Sequence, residues 1–282
     1  MRPAARDAAG GLLGAIAASV RTTVASRRAL LPIAELARSA ARRQPDGRRF
    51  RDALARDGRI NVIAECKRRS PARGILARAY APAEIARLYE NAGAAAISVL
   101  TEPTFFDGAL AHLEAVKAAT SVPLLRKDFI LDDYQLYEAR AAGADAILLI
   151  VAMLDDGSLQ RLAQCAAGLG LAALVEVHSS RELESALDAG ADLIGVNSRD
   201  LRTLAVDVRI CDAIIREAPP GCVMVAESGL QNRDDVARLA ASGYRAFLIG
   251  ERLMTAPDPA SVLAGITGRA VDGAAAAHGG GA

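Results

Sequence analysis

The sequence predicts an α/β fold, a (β/α)8 TIM barrel with an N-terminal helical extension, and three observations support this prediction. A glycine-containing phrase occurs four times, an apolar strand precedes each copy, and helical segments with polar faces fill the gaps. Strands that are apolar on both faces and alternate with helices are typical of a parallel sheet covered by helices. Eight such units are expected to close into a barrel.

The recurring phrase reads as the end of a helix, then a glycine, then a buried strand rich in apolar and β-branched residues. The glycine is suited to the left-handed conformation that commonly ends a helix. The four copies occupy residues 92–100, 142–150, 189–197 and 242–250. The strands that precede them are predicted at residues 60–65, 122–127, 172–177 and 222–228. Helices are predicted at residues 82–92, 109–119, 133–142, 156–168, 180–189, 207–217, 232–242 and 259–268.

The rest of the chain is predicted to belong to the same single domain of residues 1–282. Residues 1–58 form the helical extension, with arginine-rich helical stretches at 12–42 and 47–56 that we expect to pack across one barrel mouth. Residues 59–270 form the barrel, and the small, apolar and glycine-rich tail at 271–282 is predicted to be disordered. A doubly wound open sheet is the structural alternative, but no G-x-G-x-x-G motif follows the first strand.

Composition excludes several classes of function. The 282 residues carry 34 Lys and Arg against 33 Asp and Glu, with no basic run of the kind that binds nucleic acid. The apolar stretches are far shorter than the roughly 20 residues that span a bilayer, so no membrane helix is predicted. The four cysteines form no C-x-x-C pair and the three histidines lack metal-ligand spacing. We therefore expect neither disulfides nor a bound metal. We also expect the protein to be cytoplasmic.

Polar residues at the ends of the predicted strands indicate an active site. Active sites of this fold form at the C-terminal ends of the strands, and strand side chains alternate with period two. A single Glu–Lys pair there would be a structural ion pair, but a larger converging set favours a functional site. Five strands direct such side chains to one common mouth, namely Glu65, Lys67, Lys127, Glu176, Asn197, Arg199 and Glu227.

A phosphate subsite is predicted on three loops at the same mouth. Gly229 follows the seventh strand and Gly250 follows the eighth, where this fold commonly binds phosphate through backbone N–H groups. Ser70, in the loop after the first strand, adds a hydroxyl donor. Each glycine alone would indicate an ordinary turn. The three loops together favour the phosphate interpretation.

These residues carry a resemblance to a known family. The segment from Glu65 to Pro71 resembles the signature E-x-K-x-x-S-P of indole-3-glycerol phosphate synthases. Further matching segments lie at residues 98–102, 105–108, 125–130, 134–135, 138–145, 174–178, 195–201, 226–229 and 247–251, so the resemblance covers residues 45–260.

The resemblance implies an enzyme of tryptophan biosynthesis, a carboxy-lyase that acts on 1-(o-carboxyphenylamino)-1-deoxyribulose 5-phosphate. Ring closure, decarboxylation and dehydration of this small sugar phosphate give indole-3-glycerol phosphate, CO2 and water, without any cofactor. The resemblance also implies a monomer, and it leaves open contacts with other tryptophan-pathway enzymes.

The family's catalytic roles carry over to matching positions. By this resemblance Lys127 is the general acid that protonates the substrate ketone, and we expect neighbouring cations to lower its pKa toward neutrality. Glu176 is the general base of the dehydration, and Glu65 with Lys67 stabilises charged intermediates. The remaining members of the implied catalytic set are Asn197 and Ser228.

The substrate-binding roles are implied in the same way. Arg199 is expected to hold the anthranilate carboxylate and sugar hydroxyls together with Asn197, while Phe129 and Leu201 flank the aromatic ring. Glu227 belongs to the same set of binding residues. The phosphate is expected on Ser70, Gly229, Gly250 and the backbone of Glu251.

Two other functions fit a sugar-phosphate barrel. Phosphoribosylanthranilate isomerase uses a Cys/Asp or Asp/Asp acid–base pair, and Cys66 would be the candidate cysteine. Cys66 has the opposite strand parity to Glu65 and Lys67, so we expect its side chain to point outward beneath a helix. A barrel that only binds a phosphorylated metabolite is the second alternative. The joint presence of Lys127, Glu176 and Glu65 argues against it.

Overall fold

The computed structural model describes residues 11–268, and eight parallel strands form a closed barrel there. Each strand pairs with its neighbours in sequence, and the last strand pairs with the first, with Asn61 opposite Ala246. The predicted (β/α)8 TIM barrel is confirmed. The strands are β1 (Asn61–Cys66), β2 (Ala96–Leu100), β3 (Leu124–Lys127), β4 (Ala146–Ile150), β5 (Ala172–Val177), β6 (Leu193–Asn197), β7 (Val223–Glu227) and β8 (Ala246–Ile249).

In the part of the chain that the structure describes, three helices precede the barrel and eight helices alternate with its strands. The extension contains α1 (Gly11–Leu30), α2 (Ile33–Ala40) and α3 (Gly47–Leu54). The barrel helices are α4 (Pro82–Asn91), α5 (Leu110–Ala119), α6 (Asp133–Ala142), α7 (Asp156–Gly168), α8 (Ser180–Asp188), α9 (Arg209–Ile214), α10 (Arg233–Ala241) and α11 (Pro259–Thr267). Each overlaps a helix predicted from the sequence.

Short elements at the C-terminal mouth were not predicted. A hairpin pairs Arg69–Ser70 with Gly74–Ile75, and single helical turns occur at Pro103–Phe106, Val151–Met153 and Glu251–Met254. Segments of two to four residues are too short to display a hydrophobic period, so the sequence gives no signal for them.

The glycines of the recurring phrase adopt the conformation expected of them. Gly93, Gly143, Gly190 and Gly243 all have positive φ, between 82° and 117°. This left-handed region is strained for residues with a side chain and accessible to glycine. Each glycine therefore turns the chain from a helix into the following buried strand, as predicted.

Strand residues divide between two apolar layers. Ile63 and other inward residues fill the barrel, whereas Val62, Ala64 and Cys66 alternate with them and face the surrounding helices. Cys66 is buried in the outer layer together with Tyr89 of α4. The prediction that Cys66 points outward beneath a helix is confirmed.

The extension differs from the sequence prediction in its first part. The single helical stretch predicted at residues 12–42 is two helices, α1 and α2, separated at Leu31 and Pro32. Proline lacks a backbone N–H and fixes its φ angle, so it interrupts a helix and readily precedes a new one.

The extension also covers both ends of the barrel. Leu12, Leu13 and Ile16 of α1 line the mouth at the C-terminal ends of the strands. In contrast, Phe50 and Leu54 of α3 join the interior core, and the side chain of Asn61, at the start of β1, donates to the Leu54 carbonyl. The prediction that both helical stretches cross one mouth is therefore wrong, because α3 closes the opposite, N-terminal end.

The predicted disordered tail at residues 271–282 lies outside the described residues. Between residues 11 and 268, no helix combines the length and apolar character needed to cross a lipid bilayer.

We expect Gly47→Ala to destabilise the protein, because a Cβ at this position would overlap the backbone of Ala172 and lie 2.8 Å from the carbonyl carbon of Leu171. Overpacking of this kind costs about 1–3 kcal/mol. Urea unfolding of the two proteins measures the change. Gly168→Ala in α7 is the matched control, since among the described residues a Cβ there meets no atom outside its own helix within 4 Å. Equal midpoints for the two variants would contradict a close-packed α3.

Candidate active site

All of the predicted site residues line one cavity of about 450 Å³ at the C-terminal ends of the strands. The cavity lies between the strand ends, the loops that follow them and the start of α1. The predicted residues that it brings together are Glu65, Lys67, Ser70, Lys127, Phe129, Glu176, Asn197, Arg199, Leu201, Glu227, Ser228, Gly229, Gly250 and Glu251.

An ammonium group between two carboxylates forms the floor of this cavity. Lys127, at the end of β3, places its Nζ 3.0 Å from Oε2 of Glu176 and 2.6 Å from Oε2 of Glu227. The two carboxylates come from β5 and β7 and are almost completely buried. Because each side chain follows an inward-facing apolar residue on its strand, the three meet without any long loop.

Asn197 connects this cluster to the loop after β7. Its Nδ2 donates to Oε1 of Glu176 at 3.1 Å, while its Oδ1 accepts from the Ser228 hydroxyl at 2.8 Å and the Arg199 backbone N–H at 3.0 Å. Ser228 has a left-handed backbone, with φ 65°. Such a conformation costs energy for a residue with a side chain, and strain of this kind clusters at functional sites.

A second Glu–Lys pair lies beside the first. The Nζ of Lys67 is 2.6 Å from Oε1 of Glu65, at the end of β1. A Cβ on Gly250 would overlap the Glu65 carboxylate, and a Cβ on Gly195 would overlap Oε1 of Glu227. These two glycines are therefore required for the space that they leave to buried carboxylates.

The carboxylates determine the pKa values in the cluster. Burial acts to lower the pKa of Lys127, but Glu176, Glu227 and Glu65 outweigh it and raise the pKa above its usual range. The expectation that neighbouring cations lower the pKa of Lys127 is wrong, because its neighbours are carboxylates. Burial also acts to raise the pKa of Glu176, yet Lys127 and His178 hold it well below its usual range. For Glu227, burial prevails over Lys127 and raises the pKa to about 7.

One end of the cavity has donors suited to an anion. The hydroxyl of Ser70 is buried and has no hydrogen-bond partner among residues 11–268. Gly229 has φ 72° and leaves no room for a Cβ, which would lie 2.9 Å from Val206 and Val208. An unpartnered buried hydroxyl is costly unless a ligand or water satisfies it. This end therefore fits the predicted phosphate subsite.

The Glu251 side chain has contacts that the sequence did not predict. Its carboxylate lies 2.9 Å from Nε of Arg73, in the loop after β1, and 3.4 Å from a terminal nitrogen of Arg199, in the loop after β6. Arg199 also donates to the Leu204 carbonyl at 3.0 Å. Glu251 thus joins two loops across the mouth through its side chain.

Apolar side chains form another part of the cavity wall. Phe129 and Leu201 belong to it, and Phe106 packs against Phe129 with ring centroids 5.9 Å apart. Sequence reasoning missed Phe106 and the α1 residues Leu12, Leu13 and Ile16. The apolar spacing of α1 was visible in the sequence, but nothing in that pattern indicates which end of the barrel the helix covers.

The distribution of lysine supplies a further signal that sequence reasoning missed. The chain has 34 basic residues, yet lysine occurs only at positions 67, 117 and 127. Two of these three lysines line the cavity. Arginine stays protonated in proteins, whereas lysine can transfer its proton, so a lysine in an arginine-rich chain indicates proton chemistry.

Cys66 does not contribute to the cavity. Its side chain lies in the outer layer, and burial raises the pKa of its thiol well above the usual range, with Glu65 adding to the shift. A thiol of this kind is inert as an acid or base. The acid–base cysteine of the isomerase alternative is therefore not available at this position.

Solved structures with the same architecture share little sequence with this chain. Thiamine phosphate pyrophosphorylase from Pyrococcus furiosus superposes with a TM-score of 0.56 at 17% identity, over 73% of this chain and 93% of that chain. A mandelate oxidase mutant superposes with a TM-score of 0.57 at 18% identity, over 81% of this chain and 91% of that chain. At these identities the likeness concerns the fold alone.

Sequence comparisons identify a family. The family model for Indole-3-glycerol phosphate synthase matches residues 13–265. The chain is 47% identical to indole-3-glycerol phosphate synthase of Mycolicibacterium smegmatis, over 90% of this chain and 92% of the relative. It is 49% identical to the protein of the same name from Nocardioides sp., over 91% of this chain and 98% of the relative. The chain belongs to the indole-3-glycerol phosphate synthase family.

Proposed function

We propose that the cavity at the C-terminal mouth carries out the carboxy-lyase reaction of the family, a step of tryptophan biosynthesis, with the catalytic roles given below. The substrate is 1-(o-carboxyphenylamino)-1-deoxyribulose 5-phosphate, and the products are indole-3-glycerol phosphate, CO2 and water. The observation that carries the proposal is the position of the Lys127 ammonium, in contact with both Glu176 and Glu227 in a cavity lined by polar groups and by apolar side chains.

The two ends of the cavity suit the two ends of the substrate. Ser70 and the backbone N–H groups around Gly229 and Gly250 hold the phosphate. Phe129 and Leu201 flank the anilino ring at the apolar end. Arg199 with Asn197 faces the ring carboxylate and the sugar hydroxyls. The ketone then lies between these ends, within reach of Lys127.

Lys127 acts as the acid of the ring closure. As the aryl carbon attacks the ketone carbon, a C–C bond forms and the ketone oxygen takes up a proton from Lys127. The raised pKa ensures that Lys127 carries this proton at neutral pH. Transfer becomes favourable only as negative charge develops on the oxygen, since an alkoxide is a stronger base than an amine. The proton is therefore delivered in the transition state.

Loss of CO2 and water completes the sequence. The attacked ring carbon has become tetrahedral, and its C–CO2 bond breaks so that the electron pair restores aromaticity. The C–O bond then breaks, and the departing hydroxide takes up a proton from solvent and leaves as water. Glu176 removes the proton lost in forming the indole and returns it to Lys127, 3.0 Å away. The lowered pKa of Glu176 keeps it ionised and able to accept this proton. Glu65 and Lys67 stabilise the charged intermediates from the side.

We further propose that the chain works as a single-domain monomer in the cytoplasm. The barrel buries its core within one chain, and α1 of the same chain completes the cavity. Contacts with other enzymes of the tryptophan pathway would then be additional to a complete site. Sedimentation of the purified protein at micromolar concentration tests the oligomeric state, and a stable dimer would contradict the monomer.

A direct assay tests the proposed reaction. Purified protein is incubated with 1-(o-carboxyphenylamino)-1-deoxyribulose 5-phosphate while indole fluorescence and CO2 release are followed. We expect the two signals to rise together in equal amounts. Absence of both would contradict the synthase function and leave the barrel that only binds a phosphorylated metabolite, which equilibrium binding of the same compound would detect.

We expect Lys127→Arg to lower kcat by at least about 100-fold, the usual range for loss of general acid catalysis. Arginine preserves the charge that the two buried carboxylates need but cannot release its proton. Lys127→Ala should also abolish turnover, with substrate affinity largely preserved. Steady-state kinetics provide kcat and KM separately. Lys117→Ala, which removes the lysine outside the cavity, should behave as the unmodified protein. Near-full kcat in Lys127→Arg would remove Lys127 from the acid role.

We expect Gly195→Ala to lower kcat by about 100-fold, because a methyl group at this position displaces the Glu227 carboxylate from Lys127, and misplacement by about 1 Å has such an effect. The measurement is kcat at saturating substrate. Gly265→Ala is the control, because within residues 11–268 the added Cβ meets no atom outside its own helix within 4 Å. Equal activity of the two variants would contradict a requirement for the position of Glu227.

A further inference from the structure

His178 lies directly behind the proposed general base. It follows Glu176 by two residues at the end of β5, so the two side chains leave the strand on the same face. The imidazole is mostly buried, yet it is not among the residues that line the cavity. His178 can therefore reach Glu176 without touching the substrate.

The imidazole lies between two carboxylates, hydrogen-bonded to Glu182 and at ion-pair distance from Glu176, where Nε2 makes no hydrogen bond to the described residues. Its Nε2 lies 3.4 Å from Oε1 of Glu176, and its Nδ1 lies 3.2 Å from Oε2 of Glu182, in the first turn of α8. Oε2 of Glu182 also accepts the backbone N–H of His178 at 2.8 Å, and the Glu182 backbone donates to Ser179. The hydrogen bond to Ser179 thus positions Glu182 in the first turn of α8. The Glu182 carboxylate in turn orients the His178 ring.

The two carboxylate oxygens of Glu176 contact different residues. Oε2 faces Lys127, whereas Oε1 faces Asn197 and His178. During the proposed reaction Lys127 gives up its proton, and Glu176 then loses its ammonium partner. Among the described side chains, His178 is the other cationic group in ion-pair contact with Glu176.

We propose that His178, oriented by Glu182, is a positioning residue that holds Oε1 of Glu176 and keeps this carboxylate ionised after Lys127 has donated its proton. The proposal rests on the proposed function in one respect, the role of Glu176 as the general base. The contact between His178 and Glu176 itself is independent of that role.

The charges around the ring support this assignment. Burial acts to lower the pKa of His178, but Glu176 from β5 and Glu182 from α8 outweigh it and raise the pKa to about 10. Arg202, in the loop after β6, interacts in turn with Glu182. His178 is therefore an imidazolium at neutral pH, with both ring nitrogens able to donate. Its positive charge lowers the pKa of Glu176, so its removal should raise that pKa.

The first test is the pH dependence of kcat, which reports groups in the substrate complex. His178→Gln keeps a side-chain donor but removes the charge. We expect the acid limb of kcat to move toward higher pH by about one unit, equal to a tenfold loss on that limb. At pH values above the acid limb, kcat and KM should each change less than about threefold, since His178 does not contact the substrate. Glu182→Gln should produce a smaller shift in the same direction.

His112→Gln is the matched control. His112 lies on α5, outside the cavity, where its ring packs against Tyr80. The pH profile of this variant should match that of the unmodified protein. An unshifted acid limb in both His178→Gln and Glu182→Gln would overturn the proposal, as would an equal loss of kcat at every pH. If His178→Gln does not fold, as judged by circular dichroism, Glu182→Gln decides the outcome alone.

The second test needs no turnover. NMR titration of the His178 ring reports its pKa in the unmodified protein, in Glu176→Gln and in Glu182→Gln. We expect the pKa to fall by at least about one unit in each variant, since each removes one negative neighbour. An unchanged pKa in Glu176→Gln would overturn the contact and with it the proposal. A shifted ring pKa in a protein that forms no indole product would instead contradict the proposed function and leave the contact intact.

Discussion

Two buried carboxylates that share one ammonium group set the conditions for the rest of this active site. Glu176 and Glu227 would both be costly to bury without a cation, and Lys127 would be costly to bury without them. The cluster persists because parallel strands of one barrel deliver all three side chains to the same level. The cluster also needs space beside the neighbouring strand β6, where the absence of a side chain on Gly195 leaves room for Glu227. Asn197 and His178 then satisfy the remaining side of Glu176.

Much of this arrangement could be predicted from the sequence, because it depends on sequence patterns that repeat over short distances. The glycine phrase fixed the succession of helices and strands, and period two placed Glu65, Lys127 and Glu176 inside the mouth and Cys66 outside it. The predicted site residues line one cavity for this reason. Their resemblance to a family supplied the catalytic roles, which strand parity alone cannot assign.

The rest depended on contacts between segments far apart in sequence. The pKa of Lys127 depends on carboxylates from β5 and β7, and the sequence does not show which side chains lie within a few ångströms of one ammonium. The interruption at Pro32 was readable from the sequence. The placement of α1 and α3 at opposite ends was not, because apolar periodicity indicates that a helix is buried but not against which surface. The contacts of the Glu251 side chain likewise needed the geometry of two loops.

The two-ended extension has a consequence for how this chain can change over time. Residues of α1 contribute to the wall of the cavity, whereas α3 seals the base of the barrel through Phe50 and Leu54. A single segment, residues 11–54, thus serves two tasks, with a proline between α1 and the helices that follow it. Ile16 of α1 lines the cavity and also belongs to the same buried core as Phe50 and Leu54. A substitution at Ile16 that reshapes the cavity therefore also changes the packing of the barrel interior, so its effects on specificity and on stability are inherited together.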